Sequence, residues 1–96
     1  MNSYWVYVMS NKSRSSLYIG VTSDLKKRIW EHRHHIHEDS FTAKYNICEL
    51  LYFEESSEIE DSIAREKQLK GWTRKKKLDL IRKKNPALED LGADWL

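Results

Sequence analysis

Two short stretches near the N-terminus decide the fold: Tyr4–Met9, which reads YWVYVM, and Leu17–Val21, which reads LYIGV. Aromatic and β-branched residues, which favour β-strands, make up most of both stretches. The segment between them, residues 10–16, is polar and reads SNKSRSS. This pattern predicts two strands joined as a β-hairpin.

We expect the two motif tyrosines, Tyr7 and Tyr18, to lie opposite each other in this hairpin. Because successive strand side chains point to opposite faces, both phenols then share one face of the sheet. The opposite face is aliphatic, with Val6 facing Ile19 and Val8 facing Leu17. Two phenols side by side indicate a reaction site, although tyrosines in strands also serve simply to pack.

Downstream, the sequence predicts a helix at residues 25–34, a third strand at residues 48–54, and two further helices at residues 57–71 and 73–84. Asp24 is a suitable N-cap for the first helix, and Ser57 with Glu60 forms a capping-box pattern for the second. Thr73 can cap the third helix, and residues 35–46 are expected to be irregular. The order β-β-α-β-α-α predicts an α+β fold with a three-stranded, at least partly antiparallel sheet flanked by helices.

The length and composition bound the class of protein. Ninety-six residues suit a single domain, residues 1–96, with a tail at 85–96 that can pack back on it through Leu88, Leu91 and Trp95. The lone cysteine, Cys48, excludes an internal disulfide framework and a Cys-rich zinc site. We expect no membrane span and no signal peptide, because no long apolar run is present, and therefore a cytoplasmic location.

Charge is distributed unevenly along the chain. The net charge is only +2, but residues 54–61 are acidic and residues 65–84 are strongly basic. Such a basic block can neutralise nucleic-acid phosphates, or it can be no more than a solvated helix surface. Charge alone leaves both interpretations open.

Three side chains have chemistry that suits a phosphate substrate. Arg28 and His32 are one helical turn apart and share a face, so they combine a fixed positive charge with a group that moves a proton near neutral pH. Glu66 could hold a hard divalent cation, because Mg²⁺ often takes only one or two protein carboxylates. Its alternative role is an ion pair with Lys70, one turn later on the same helix.

A histidine-rich segment follows the first predicted helix and raises the alternative of a zinc site. Its members are His32, His34, His35 and His37. Adjacent histidines face different ways on a helix, and the segment contains no cysteine, so solvent-exposed histidines at a helix end are the simpler interpretation.

Taken together, these motifs resemble the GIY-YIG nuclease superfamily. The first motif stands here as Trp5-Val6-Tyr7 and the second as Tyr18-Ile19-Gly20, followed by the helix at residues 24–32 (DLKKRIWEH). The stretch at residues 64–72 (AREKQLKGW) and Asn85-Pro86 are similar to the small stand-alone bacterial members, which resemble the N-terminal domain of the C component of excinuclease ABC. The resemblance spans nearly the whole chain.

The resemblance implies a three-stranded sheet flanked by helices and hydrolysis of phosphodiesters that depends on one divalent cation, Mg²⁺ or Mn²⁺. Carried over by position, Tyr7 and Tyr18 match the motif tyrosines, Arg28 the helix arginine, His32 the histidine one turn on, and Glu66 the metal-binding glutamate. The implied partner is nucleic acid, with DNA favoured over RNA. The basic residues expected to hold the strand are Lys26, Lys27, Lys44, Arg65, Lys70 and Arg74.

The chain also departs from the family pattern at two positions. Trp5 replaces a motif glycine, and Val21 stands where the excinuclease-like members have a lysine. Because no second domain is expected to select a target, a protein partner could supply targeting. The alternatives are a nucleic-acid-binding module without turnover and a protein-interaction domain that uses the tail around Trp95.

Overall fold

The computed structural model describes residues 2–36 and 41–95. Its elements are β1 (Tyr4–Ser10), β2 (Leu17–Thr22), α1 (Leu25–Arg33), α2 (Phe41–Lys44), β3 (Glu49–Ser56), α3 (Ile59–Lys70) and α4 (Arg74–Lys84). The predicted α+β class is confirmed. The single turn α2 lies in a stretch predicted to be irregular.

The three strands form one antiparallel sheet in the order β2-β1-β3. The predicted hairpin register is wrong by two residues, because Tyr7 pairs with Gly20 and Tyr18 pairs with Met9. A shift of two residues preserves the side-chain alternation. Both phenols therefore still lie on the same face, and Val8 pairs with Ile19 on the other.

The sheet separates two hydrophobic cores, one on each face. On one face, Val6, Val8 and Ile19 pack against Leu69 of α3 and Ile81 of α4. The other core contains Tyr7 and Met9 of β1 with Leu25 and Ile29 of α1, and Trp5, Tyr18 and Trp95 pack against it. The helix α1 therefore covers the face that carries the phenols, and α3 and α4 cover the aliphatic face.

Local capping explains where most of the helices begin and end. The side chain of Asp24 accepts a hydrogen bond from the amide of Lys27, and that of Thr73 does the same from Lys76, so both predicted caps are confirmed. Gly71 is the C-cap of α3, which agrees with the predicted end of this helix at residue 71. The predicted capping box at Ser57 and Glu60 is wrong, because β3 continues to Ser56 and α3 takes Glu58 as its N-cap without a side-chain hydrogen bond.

The C-terminal segment lies along the sheet and α1. The amide of Leu91 donates to the carbonyl of Leu50 over 2.7 Å, and Arg33 of α1 pairs with Asp90 at 2.8 Å. Trp95 packs on the core beneath α1, whereas the side chain of Leu91 is 40% exposed. These contacts hold the segment against the domain.

Across residues 2–36 and 41–95, the helices are too short and too polar to cross a membrane.

Candidate active site

Tyr7 is the centre of the candidate site, and Gly20 on the neighbouring strand makes room for it. The Tyr7 side chain is fully buried. Its ring lies across Gly20, where an added Cβ would lie only 2.5 Å from the Tyr7 hydroxyl oxygen and 2.7 Å from Cζ. The glycine of the second motif is therefore needed for space, and the ring is directed toward the edge strand β2.

The Tyr7 hydroxyl reaches His32 of α1. Its oxygen lies 3.1 Å from His32 Nε2, a buried hydrogen bond between side chains. Tyr18 lies against both groups, with its ring centroid 6.2 Å from that of Tyr7 and 5.5 Å from that of His32. His32 itself is 7% exposed, so this bond forms away from bulk water.

Arg28 lies one turn before His32 on α1 and borders a small polar cleft. Its guanidinium pairs with Glu31 at 3.2 Å, and its side chain is 38% exposed. The cleft has a volume of about 140 Å³ and is lined in part by Lys27, Arg28 and Glu31. Arg28 can therefore meet a ligand from solvent while its charge also acts on the buried Tyr7.

Glu66 lies on the inner face of α3, between the buried residues Ser62 and Leu69. From its sequence, the apolar residue Ile63, three positions before Glu66, is expected to belong to a buried stripe; this is wrong, since its side chain is 40% exposed. The Glu66 carboxylate is 20% exposed and pairs with Lys70 at 3.4 Å, as the ion-pair alternative expected. The Lys70 side chain is 55% exposed, so it can move into solvent and leave the carboxylate to another cation.

Burial and the neighbouring charged groups shift the pKa of the Tyr7 phenol. Burial raises the pKa of Tyr7 well above its usual value near 10, and the neighbouring Tyr18 adds to this rise. Arg28 partly offsets the rise, and Glu66 adds a smaller increase. The charges of an arginine and a glutamate on opposite faces of the sheet thus act on one phenol, which keeps its proton at neutral pH.

We call Tyr7, Tyr18, Arg28, His32 and Glu66 the Tyr7 cluster. Tyr7, Tyr18 and His32 contact one another, and the charges of Arg28 and Glu66 act on the Tyr7 phenol from opposite faces of the sheet. Sequence reasoning missed Gly20 as the seat of the Tyr7 ring and Glu31 as the partner of Arg28. The close pairing of Tyr7 with Gly20 could have been found only with the correct hairpin register.

The donor set of the cluster fits a water-rich divalent cation. Among residues 2–36 and 41–95, no group of three or more His, Cys, Asp or Glu side chains could hold a metal ion. Glu66 therefore offers a single carboxylate, and Mg²⁺ commonly completes such a site with waters and substrate phosphate oxygens. The residues present fit a cation of this kind and not an all-protein cage.

The histidine-rich segment is divided by the structure. His32 belongs to the Tyr7 cluster, whereas the His34 ring stacks on Trp30 with centroids 4.1 Å apart. His35 has a positive φ of 53° just after α1. His37 lies outside the described residues, so the zinc alternative is tested only for the other three.

Of the six lysines and arginines expected to bind nucleic acid, the four lysines have exposed side chains. They lie on α1 (Lys26 and Lys27), α2 (Lys44) and α3 (Lys70). The two arginines are held by protein acceptors, which the charge pattern did not predict. Arg74 donates to the backbone carbonyls of Arg14 and Ser15. Arg65 donates through Nε and Nη2 to both carboxylate oxygens of Glu54, at 3.0 Å each.

Arg65, Glu54 and Tyr52 form a second polar group, which we call the Tyr52 cluster. The Tyr52 hydroxyl donates to Glu54 over 2.5 Å. Burial and the adjacent carboxylate raise the pKa of Tyr52 to about 12. Burial favours a higher pKa for Glu54 as well, but hydrogen bonds from Arg65 and Tyr52 outweigh it and hold that pKa below its usual value.

Known proteins are similar to this chain in sequence. The family described as the GIY-YIG catalytic domain matches residues 3–79. A UPF0213 protein of Syntrophus aciditrophicus is 30% identical over 86 residues, which cover 90% of this chain and 97% of that protein. A UPF0213 protein of Staphylococcus saprophyticus is 31% identical over 81 residues, which cover 84% and 96%.

A solved structure extends the comparison to three dimensions. The solution NMR structure of a UPF0213 protein from Bacillus halodurans matches with a TM-score of 0.58 at 23% identity, covering 98% of this chain and 99% of that one. At 23% identity, this likeness shows the fold alone. With the family match over residues 3–79 and the relatives of similar length, the chain belongs to the GIY-YIG family, whose catalytic domain is of the nuclease type.

Proposed function

We propose that this protein is an endonuclease that hydrolyses nucleic-acid phosphodiesters with the help of one divalent cation, and that DNA is its preferred substrate. The observation that carries the proposal is the surroundings of Tyr7. Its phenol lies 3.1 Å from a histidine nitrogen and within the fields of Arg28 and Glu66. A site that only packs or only binds has no need for this combination of an acid–base pair, a fixed cation and a carboxylate.

Arg28 would bind the scissile phosphate and neutralise the charge that grows on its oxygens. A preorganised cation of this kind stabilises the transition state more than the ground state. The guanidinium is in place at the edge of the polar cleft, where Lys27 adds a second positive charge. Phosphate binding would replace the Glu31 carboxylate as the partner of Arg28.

Tyr7 and His32 would act together as a proton relay. Because its pKa is raised, Tyr7 is protonated at neutral pH, so it can accept a proton from the attacking water only if it gives up its own proton. Tyr7 takes a proton from the attacking water and passes its own proton to His32 Nε2 along the 3.1 Å hydrogen bond. No phenolate then accumulates, and the histidine carries the proton.

Glu66 would hold the divalent cation, which when bound polarises the phosphate and stabilises the leaving 3′ oxygen. Lys70 holds this position through its ion pair in the resting protein, and its exposed side chain can leave without disturbing the core. Tyr18 would position the water or the phosphate beside the Tyr7–His32 pair, against which its ring lies.

The test is nicking of supercoiled plasmid in Mg²⁺ or Mn²⁺ by the wild type and by Glu66→Gln. The matched control is Glu60→Gln, which changes an exposed acid on the same helix. We expect Glu66→Gln to lose roughly 100-fold in rate, in line with the loss of a preorganised charge from an active site. Equal nicking by Glu66→Gln and the wild type would refute the assignment.

The ion pair between Glu66 and Lys70 favours one alternative, a nucleic-acid-binding module without turnover. In that case the ammonium of Lys70 would occupy the carboxylate permanently. The discriminating measurement is Mn²⁺ binding, followed by electron paramagnetic resonance of the free ion. A binding module takes up no Mn²⁺ and still shows salt-dependent binding of nucleic acid.

A further inference from the structure

A pair of exposed aromatic rings lies beside the Tyr7 cluster. The side chains of Phe41 and Tyr45 are 47% and 43% exposed, and their ring centroids are 4.6 Å apart. Phe41 begins the short helix α2, and Tyr45 directly follows it. Large apolar groups held together at a surface commonly mark a binding site.

These rings continue a stack that begins at the reaction centre. The Phe41 ring lies 6.4 Å from that of Tyr18 and is tilted by only 24°. Tyr18 in turn contacts the rings of Tyr7 and His32. We call Tyr18, Phe41 and Tyr45 the aromatic ladder, because their successive ring contacts connect the buried Tyr7 phenol to solvent.

One positive charge lies beside the ladder, on Lys44. Lys44 lies between Phe41 and Tyr45 in the sequence, and its Nζ is 5.5 Å from the centre of the Tyr45 ring. An occupant with flat apolar groups and a negatively charged backbone matches both features. Unpaired nucleotides have this chemistry, because their bases stack on aromatic side chains while their phosphates attract lysine.

We infer that Phe41 and Tyr45 stack an unpaired base next to the scissile phosphate, so the substrate is single-stranded or locally unpaired nucleic acid. In a regular duplex the base faces are buried in the stack and cannot meet a protein ring unless a nucleotide is extruded. This inference rests on the proposed nuclease site for its position, but it concerns binding and has a readout of its own.

The experiment measures fluorescence anisotropy of a labelled single strand and of its duplex, in Ca²⁺, with the wild type and with Phe41→Leu/Tyr45→Leu. Leucine keeps apolar bulk at both positions and removes the flat rings. The control is Ile63→Leu, at a 40% exposed apolar position on α3. Thermal unfolding checks that each variant is folded. Tyr45→Phe, which keeps both rings, is a further control, and the single variant Tyr45→Leu, at a 43% exposed position, serves as the second test should the double variant be unstable.

We expect the double leucine variant to bind the single strand about tenfold more weakly or worse, as loss of a stacked base does elsewhere. Duplex binding should change less than about twofold, and Tyr45→Phe and Ile63→Leu should bind like the wild type. Unchanged single-strand binding, or an equal loss for both substrates, overturns the inference. A change in oligomeric state caused by the double variant also overturns it, because the rings would then contact a second copy.

The two proposals fail separately in this design. If single-strand binding depends on the two rings but no metal-dependent cleavage occurs, the stacking subsite is supported and the nuclease proposal is refuted. Cleavage that is lost in Glu66→Gln but insensitive to the leucine substitutions keeps the nuclease and removes the stacking subsite.

Discussion

The Tyr7 cluster and the Tyr52 cluster are built from the same groups, yet they differ in how their charges are paired. Each has a tyrosine with a raised pKa, an arginine and a glutamate. In the Tyr52 cluster the three side chains bond to one another, with the carboxylate of Glu54 accepting from both Arg65 and Tyr52. The charges of the Tyr52 cluster are therefore satisfied within the protein, and the cluster contributes to stability.

In the Tyr7 cluster the opposite charges are not paired with each other. Arg28 pairs with Glu31 and Glu66 pairs with Lys70, both along their own helices. Pairs between neighbouring turns of a helix are weak, so a phosphate and a cation can replace them at little cost. Availability of charge, and not the identity of the residues, therefore separates the proposed reaction site from the structural cluster.

The largest effect is expected for Arg28→Ala. If Arg28 binds the scissile phosphate as proposed, its removal should lower kcat/KM for nicking by roughly 100-fold or more, about 3 kcal/mol of transition-state stabilisation. The control is Lys75→Ala, whose partner Asp79 lies on the exposed face of α4. Thermal unfolding of both variants should match the wild type, and a loss of activity in Lys75→Ala equal to that in Arg28→Ala would contradict the account.

Gly20→Ala should damage the same cluster by displacing Tyr7. The new Cβ would lie 2.5 Å from the Tyr7 hydroxyl oxygen, so the ring must move away from His32. We expect a stability loss of about 2 kcal/mol from overpacking together with a large loss of nicking. In Gly71→Ala the nearest atom is 3.5 Å away, and that variant should keep both properties.

Glu54→Gln should lower the free energy of unfolding without changing the nicking activity. Because the pKa of Glu54 is lowered in the folded state, its ionised form contributes stability above its unfolded pKa, and this contribution is lost as pH falls through the folded value. The wild type should exceed Glu54→Gln by about 1–2 kcal/mol in urea unfolding at pH 7. The difference should shrink below about pH 4, and Asp79→Asn, in an exposed pair, should show almost none.

The order of strands and main helices could be predicted because each has a strong local signal. Residue alternation marks β1 and β2, and Asp24 and Thr73 cap the helices that follow them. The register could not be predicted, because aliphatic residues face one another in either alignment. The deciding contact, Tyr7 over Gly20, is a matter of volume between strands and leaves no periodic signal.

The members of the Tyr7 cluster could be identified from motifs, but their pairing could not. The basic block around Arg65 predicts nucleic-acid binding for that residue, and the structure instead bonds it to Glu54, eleven positions earlier in the chain. The turn α2 escapes prediction because four residues are too few to show helical periodicity. The buried position of Ser62 in place of Ile63 is likewise set by the packing of α3 on the sheet.

The most direct test of the difference between the two clusters is to remove one hydroxyl from each. Tyr7→Phe and Tyr52→Phe each delete a single hydrogen-bonding oxygen from a buried tyrosine, so both should lose a similar stability of about 1 kcal/mol. We expect nicking by Tyr7→Phe to fall by roughly 100-fold, whereas Tyr52→Phe should nick within about twofold of the wild type. Equal activity of the two variants, in either direction, would contradict this expectation.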